Sequence, residues 1–128
     1  MKLLLDTVTF LLAAAEPEEL SPRARSLLMD PENERYLSTV SSWEIAIKYS
    51  LKKLDLQQAP EQFIPEHRNQ LGAESLALDE ESALHLVRLP LLHSDPFDRM
   101  LICQAIVNGM VLVTPDPNIS RYPVRTAW

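Results

Sequence analysis

The 128 residues of the chain are 46% hydrophobic and carry a formal net charge of −6. This size and apolar content predict one domain over residues 1–128 with a single buried core, and the acidic charge argues against binding nucleic acid mainly through a broad basic surface. No apolar run approaches the roughly 18 residues of a membrane span, and Asp6 interrupts the N-terminal apolar stretch too early for a signal peptide, so we expect a cytoplasmic protein without a membrane segment.

The first half of the chain alternates short apolar runs with helical patterns. Ser21 followed by Pro22 is a strong helix start, because serine caps the first turn and proline suits its first position. The elements expected here are a strand at Lys2–Leu5, a helix at Val8–Ala15, a helix from Pro22, a turn at Asp30–Asn33, a strand at Tyr36–Val40 and helices at Ser41–Leu51 and Pro60–Leu71.

The second half continues the alternation. Its expected elements are a strand at Ser75–Leu78, a helix from Asp79 to about Arg88, a loop at Leu89–Ser94, a helix at Pro96–Asn108 ended by Gly109, a strand at Val111–Thr114, a turn at Pro115–Pro117 and a short strand at Val124–Ala127. The pattern predicts the α/β class, a three-layer α/β/α sandwich around a central parallel sheet of four to five strands. With glycine only at Gly72 and Gly109, neither a dinucleotide fingerprint nor a P-loop is present.

Four acidic residues fall at one edge of this predicted sheet. Asp6 ends the first strand, Asp116 follows the fourth, Glu44 opens the helix after the second strand, and Asp98 opens the helix that leads into the fourth. Ligands of such folds bind outside the carboxyl ends of the strands, where the strand order reverses. Carboxylates gathered there repel one another unless a cation compensates, and an all-oxygen ligand set suits Mg²⁺ or Mn²⁺. Phosphodiester hydrolysis is the chemistry that such a site would serve.

Each acid also has a purely structural interpretation. Asp6 could cap the helix that begins near Val8, and Ser41 with Glu44 fits the S-x-x-E capping box, which the sequence alone favours. Asp95 before Pro96 is a natural helix cap, Asp98 would be stabilised by the helix dipole, and Asp116 fits a Pro-Asp-Pro turn. The coincidence of four acids at one edge favours a metal site.

Other side chains carry weaker signals. We expect Trp43 in the core, Cys103 as buried packing, and His93 as a loop histidine without a partner at ligand spacing. Surface charge is the default interpretation of Lys48 and Arg99, and contact with phosphate is the alternative.

Four segments together resemble the PIN-domain family, specifically the VapC-like toxins of bacterial toxin-antitoxin pairs. They are LLLDT at Leu3–Thr7, SSWEIAIK at Ser41–Lys48, LPLLHSDPFDRMLICQA at Leu89–Ala105 and LVTPDP at Leu112–Pro117. The resemblance implies an α/β/α domain that is a Mg²⁺- or Mn²⁺-dependent endoribonuclease, a homodimer, and inhibition by a cognate antitoxin. Its motifs place the acids at Asp6, Glu44, Asp98 and Asp116 as catalytic metal ligands, with Thr7, Lys48, Asp95, Arg99 and Thr114 as supporting or RNA-contacting residues.

Two positions depart from the family pattern. Val8 stands where many relatives have histidine, and Pro115 stands where relatives tend to have a basic or polar residue before the fourth acid. Neither departure removes a metal ligand, although both put substrate choice and rate in question. Two alternatives stay open: a phosphorylatable receiver-like signalling domain, and a PIN-like binding module that has lost catalysis.

Overall fold

The structure is a computed structural model that describes residues 1–128. Five strands form one parallel sheet in the order β3-β2-β1-β4-β5, which confirms the predicted three-layer α/β/α class. The strands are β1 (Lys2–Leu5), β2 (Glu34–Ser38), β3 (Ala73–Leu76), β4 (Val111–Val113) and β5 (Thr126–Ala127).

Seven α-helices connect and cover the strands. They are α1 (Thr7–Ala15), α2 (Pro22–Met29), α3 (Thr39–Ser50), α4 (Pro60–Gln70), α5 (Glu80–Leu84), α6 (Pro96–Asn108) and α7 (Pro117–Ser120), with short 3-10 turns at Pro17–Glu19 and His85–Arg88. None of them is long and apolar enough to span a bilayer.

The two faces of the sheet bury two separate cores because strand side chains alternate in direction. Leu3 and Leu5 pack on one face with Phe10, Ile45 and the first helices. Leu4 and Leu112 pack on the other face with α6, including the buried Cys103 that the sequence predicted. Burial on both faces explains why β1 and β4 read as continuous apolar runs.

Helix α3 begins earlier than predicted. Thr39 and Val40 are helical, because the extended Ser38 supplies the N-cap and its hydroxyl accepts a hydrogen bond from the Val40 amide at 3.0 Å. The expected strand through Val40 and the capping box of Ser41 with Glu44 are therefore wrong.

The remaining differences are local. Strand β3 begins at Ala73 instead of Ser75, and the helix expected from Asp79 to Arg88 divides into α5 and a 3-10 turn. The Pro-Asp-Pro turn also opens a short helix, α7, because Asp116 caps it before Pro117. Gly109 ends α6 as predicted, in the left-handed conformation at φ 64°.

Candidate active site

The strand order reverses between β1 and β4, and polar residues follow both strands at that point. The chain runs outward from β1 through β2 and β3 on one side, and later adds β4 and β5 on the other. Asp6 follows β1, and its amide donates to the Val113 carbonyl of β4 at 3.2 Å. Thr114 and Asp116 follow β4 directly. This crevice is the position that parallel sheets use for ligands.

Asp6 is 4% exposed and serves as the N-cap of α1, so its structural interpretation is confirmed. One carboxylate oxygen accepts the Thr9 amide at 2.7 Å. Burial raises the pKa of Asp6, hydrogen bonds from Thr114 and Thr9 act in the opposite direction, and the charge of Asp116 adds to the increase. Burial and the neighbouring Asp116 charge thus both disfavour the ionised form of Asp6.

Asp116 is tied to the same part of the crevice through Thr114. Its amide donates to the Thr114 hydroxyl at 3.1 Å, and its carboxylate accepts from the Asn118 amide at 2.9 Å as the cap of α7. Thr114, which is 4% exposed, thus holds the backbone of Asp116, and its hydroxyl also lowers the pKa of Asp6. Backbone amides therefore hold the carboxylates of both Asp6 and Asp116.

Glu44 is 5% exposed and is held by side chains from two helices. The Thr7 hydroxyl donates to its Oε1 at 2.7 Å, and the Lys48 ammonium donates to its Oε2 at 2.5 Å. The hydrogen bond with Glu44 raises the pKa of Lys48. Glu44 therefore connects α3 to the N-terminus of α1 instead of capping its own helix.

Asp98 lies in the first turn of α6, which Asp95 caps as predicted by accepting the Phe97 and Asp98 amides at 2.9 and 3.1 Å. The Asp98 Oδ2 lies 3.2 Å from Nε2 of His93. Burial is the main cause that raises the pKa of Asp98, the His93 contact lowers it, and the charges of Asp95, Asp116 and Glu44 raise it, which together give a pKa of about 6. The carboxylates of Asp95, Asp116 and Glu44 thus lie close enough to Asp98 to influence its ionisation.

Three sequence-based interpretations are corrected here. Trp43 is 62% exposed and packs edge to face against Phe97 with ring centroids 5.3 Å apart, so it is not in the core. Arg99 is buried, at 9% exposure, so it is not a surface charge. His93 has partners after all: Nε2 contacts Asp98, and Nδ1 lies 2.7 Å from the Tyr122 hydroxyl. Tyr122 was missed entirely because nothing in the sequence links it to a histidine 29 residues away.

The four predicted acids all reach the carboxyl edge of the sheet, yet their carboxylates do not converge on one point. No group of three or more histidine, cysteine, aspartate or glutamate side chains is arranged to hold a metal ion. Their chemistry nevertheless fits a hard divalent cation, since every donor is a carboxylate oxygen. Lys48 is bound to Glu44, while burial and mutual repulsion raise the pKa values of Asp6 and Asp98.

Comparison with known proteins supports a family assignment. The family model for the PIN domain matches residues 3–124. Ribonuclease VapC16 of Mycobacterium tuberculosis is 33% identical over 61 residues, a match that spans 48% of this chain and 43% of that protein. The chain thus matches less than half the length of this curated relative.

Solved structures share the fold over nearly the whole chain. VapBC2 of Rickettsia felis, bound to a DNA fragment from its promoter, gives a TM-score of 0.76 at 16% identity and covers 99% of this chain and 98% of that one. DNA-bound VapBC of Salmonella typhimurium gives 0.70 at 21% identity, with 99% and 97% covered. At these low sequence identities, the similarity is evidence for a shared fold alone.

Proposed function

The chain belongs to the PIN domain family, and on that premise we propose that it is a divalent-metal-dependent endoribonuclease. The observation that carries the proposal is the placement of four acids, Asp6, Glu44, Asp98 and Asp116, from separate segments at the carboxyl edge of one parallel sheet. Among them, Asp6 and Asp98 have raised pKa values, to which neighbouring carboxylates contribute. A cation would relieve that repulsion. The similarity to a ribonuclease supports RNA as the substrate class.

We assign Asp6, Asp98 and Asp116 to the principal Mg²⁺ or Mn²⁺ ion, with Glu44 completing the site or holding a second ion. A bound divalent cation would polarise the scissile phosphate and activate the attacking water. The protein contributes orientation: the Thr9 amide holds the Asp6 carboxylate, Thr114 holds the Asp116 backbone, and the Thr7 hydroxyl holds Glu44.

Two basic residues differ in their access to RNA. The Lys48 side chain is 48% exposed beside the acids, so it can approach a phosphate oxygen once Glu44 turns to a cation. Arg99 is buried, so a supporting role inside α6 suits it better than direct RNA contact. Asp95 acts as the cap that sets the first turn of α6.

The proposed biological role is that of a toxin restrained by a cognate antitoxin. The similar structures are VapBC complexes, which supports a protein partner of this kind. A homodimer, a cytoplasmic location and a single nuclease domain over residues 1–128 belong to the same proposal.

A cleavage assay tests the activity directly. Purified protein is incubated with a fluorescently labelled RNA oligonucleotide pool in Mn²⁺, in Mg²⁺ and in EDTA, beside Asp116→Asn prepared identically. We expect cleavage only with metal and a loss of at least a hundredfold in Asp116→Asn, since the substitution keeps the cap and removes the charge. Cleavage that survives both EDTA and the substitution would refute the assignment.

The inactive binding module is the second candidate, and two observations favour it. The acids do not converge, and Glu44 is bound by Lys48. Binding of Mn²⁺ in a calorimeter without any RNA cleavage would select this alternative. The family match offers no support for the receiver-like alternative.

A further inference from the structure

A hydrogen-bonded chain of three side chains leads from the core to Asp98. Tyr122 is 3% exposed and packs in the core beside α6 and α7. Its hydroxyl lies 2.7 Å from Nδ1 of His93, and Nε2 of the same ring lies 3.2 Å from Oδ2 of Asp98. The ring therefore stands between a buried hydroxyl and a carboxylate of the candidate site.

The hydrogen bonds around Tyr122 determine the direction of this chain. The backbone amides of Leu92 and His93 both donate to the Tyr122 oxygen, at 3.2 and 3.0 Å. A phenolic oxygen with two such donors has its own proton left to give. The nearer acceptor is Nδ1 of His93 at 2.7 Å, against 3.4 Å for the His93 carbonyl.

The other end of the ring gives the same assignment. An ionised carboxylate only accepts hydrogen bonds, so Nε2 must carry the proton that points to Asp98. A neutral imidazole with its proton on Nε2 presents a bare Nδ1, which requires a donor such as Tyr122. Both ends thus favour one tautomer.

We propose that Tyr122 fixes His93 in the Nε2-protonated tautomer, and that His93 thereby acts as a positioning residue for the Asp98 carboxylate. The tautomer follows from the hydrogen bonds alone, whereas the importance of the Asp98 orientation for metal binding rests on the proposed function. With Oδ2 engaged by His93, Oδ1 of Asp98 is the oxygen left for a ligand. A histidine at a carboxylate ligand orients it and sets which oxygen is presented.

The same contacts anchor the loop before α6. Tyr122 accepts both amides of the Leu92–His93 segment, so the backbone that carries the ring is anchored by the side chain that orients it. His93 and Tyr122 rings also pack edge to face at 5.3 Å between centroids. Rotation of the imidazole would break contacts at both nitrogens.

Nitrogen-15 NMR of the metal-free protein tests the tautomer without any assay of activity. Long-range proton–nitrogen spectra of protein labelled at histidine distinguish a protonated from a bare ring nitrogen, and His93→Asn assigns the signal. We expect His93 to carry its proton on Nε2 in the wild type, with the Nδ1-protonated form gaining population in Tyr122→Phe. A wild-type ring protonated on Nδ1 alone overturns the proposal.

Metal affinity tests the positioning role with a matched pair of variants. The amide nitrogen of His93→Gln reaches the place of Nε2, whereas that of His93→Asn reaches only the place of Nδ1. We expect titration calorimetry with Mn²⁺ to show affinity about ten- to a hundredfold weaker in His93→Asn, largely restored in His93→Gln. His85→Asn, outside the site, should match the wild type. Equal affinities in His93→Asn and the wild type would overturn the role.

The RNA assay separates this inference from the proposed function. If the tautomer and the affinity pattern hold but no RNA is cleaved, the positioning role stands and the nuclease assignment fails. If RNA is cleaved with metal while His93→Asn binds Mn²⁺ normally, the nuclease assignment stands and the positioning role fails. Circular dichroism confirms that each variant retains the wild-type fold.

Discussion

The two halves of the candidate site hold their acids by different means. Beside β1 and β4, Asp6 and Asp116 are helix caps whose oxygens accept backbone amides from Thr9 and Asn118. Between α3 and α6, Glu44 and Asp98 are not caps, and side chains hold their carboxylates.

The difference shows which acids are free to rearrange. A carboxylate fixed by backbone amides moves only with its helix, and Asp98 is held by a His93 ring that contacts Tyr122, whereas Glu44 can move when the half-exposed Lys48 changes rotamer. We infer that Asp6, Asp116 and the His93-oriented Asp98 form the rigid part of the site, and that Glu44 completes it by adjusting to a cation.

Substitutions that remove the charge of Asp6 should have the largest effect on activity, and comparing asparagine with alanine distinguishes this charge from the capping role. Asparagine caps a helix about as well as aspartate and removes a buried charge, so Asp6→Asn should lower RNA cleavage at least a hundredfold without lowering the melting temperature below that of the wild type. Asp6→Ala should lose the activity and about 1 kcal/mol of stability as well. Cleavage kinetics and thermal unfolding measure the two effects; an active Asp6→Asn would mean that this half is only structural.

Replacing Asp98 should stabilise the metal-free protein at neutral pH. Its pKa is raised from the ordinary aspartate value of 3.8 to about 6 in the folded state. The folded chain therefore binds more protons than the unfolded chain between these values, and this group lowers stability as the pH rises through the interval. Asp98→Asn should melt a few degrees above the wild type at neutral pH, and the advantage should shrink as the pH falls toward 4.

Thermal unfolding in EDTA at several pH values checks the sign of this effect. Asp55→Asn, an exposed acid outside the site, serves as the control and should show no such trend. A wild type that is more stable than Asp98→Asn at neutral pH would contradict the raised pKa.

Replacing Lys48 should have the smallest effect. It tests whether Glu44, unlike Asp6 and Asp116, can be released from its partner to bind a cation. Lys48→Met frees Glu44 and adds a net negative charge to the site, and both changes favour a cation. We expect Mn²⁺ to bind severalfold more tightly by calorimetry, with Lys52→Met as a control of equal charge change on the surface. Weaker binding in Lys48→Met than in the control would show that Lys48 supports the site instead of competing for Glu44.

Most of the fold could be predicted because its signals are local. The apolar runs of β1 and β4, the caps Ser21 and Asp95, and Gly109 after α6 each act within a few residues. The alternation of strands and helices then leaves few topologies, since parallel crossovers are right-handed. The arrival of four acids at one edge followed from that alternation alone.

The errors came from interactions between distant residues. Trp43 looked like a core residue, but the buried side of α3 includes the polar Ser41 and Glu44, which bond to Thr7 across the crevice. With Ser41 and Glu44 on the buried side of α3, Trp43 points outward. The partners of His93 were missed for the same reason, because a hydrogen bond across 29 residues leaves no periodicity in a sequence.

The exposed Trp43 gives this protein a built-in optical probe. Its indole contacts Phe97, so the pair spans the two helices whose acids are held by side chains alone. The other tryptophan, Trp128, lies half-buried at the end of the chain, beyond β5 at the edge of the sheet. Substituting Trp128 with phenylalanine would leave a single tryptophan beside Glu44 and Asp98, so a change in the spacing of α3 and α6 would alter the tryptophan fluorescence without any label.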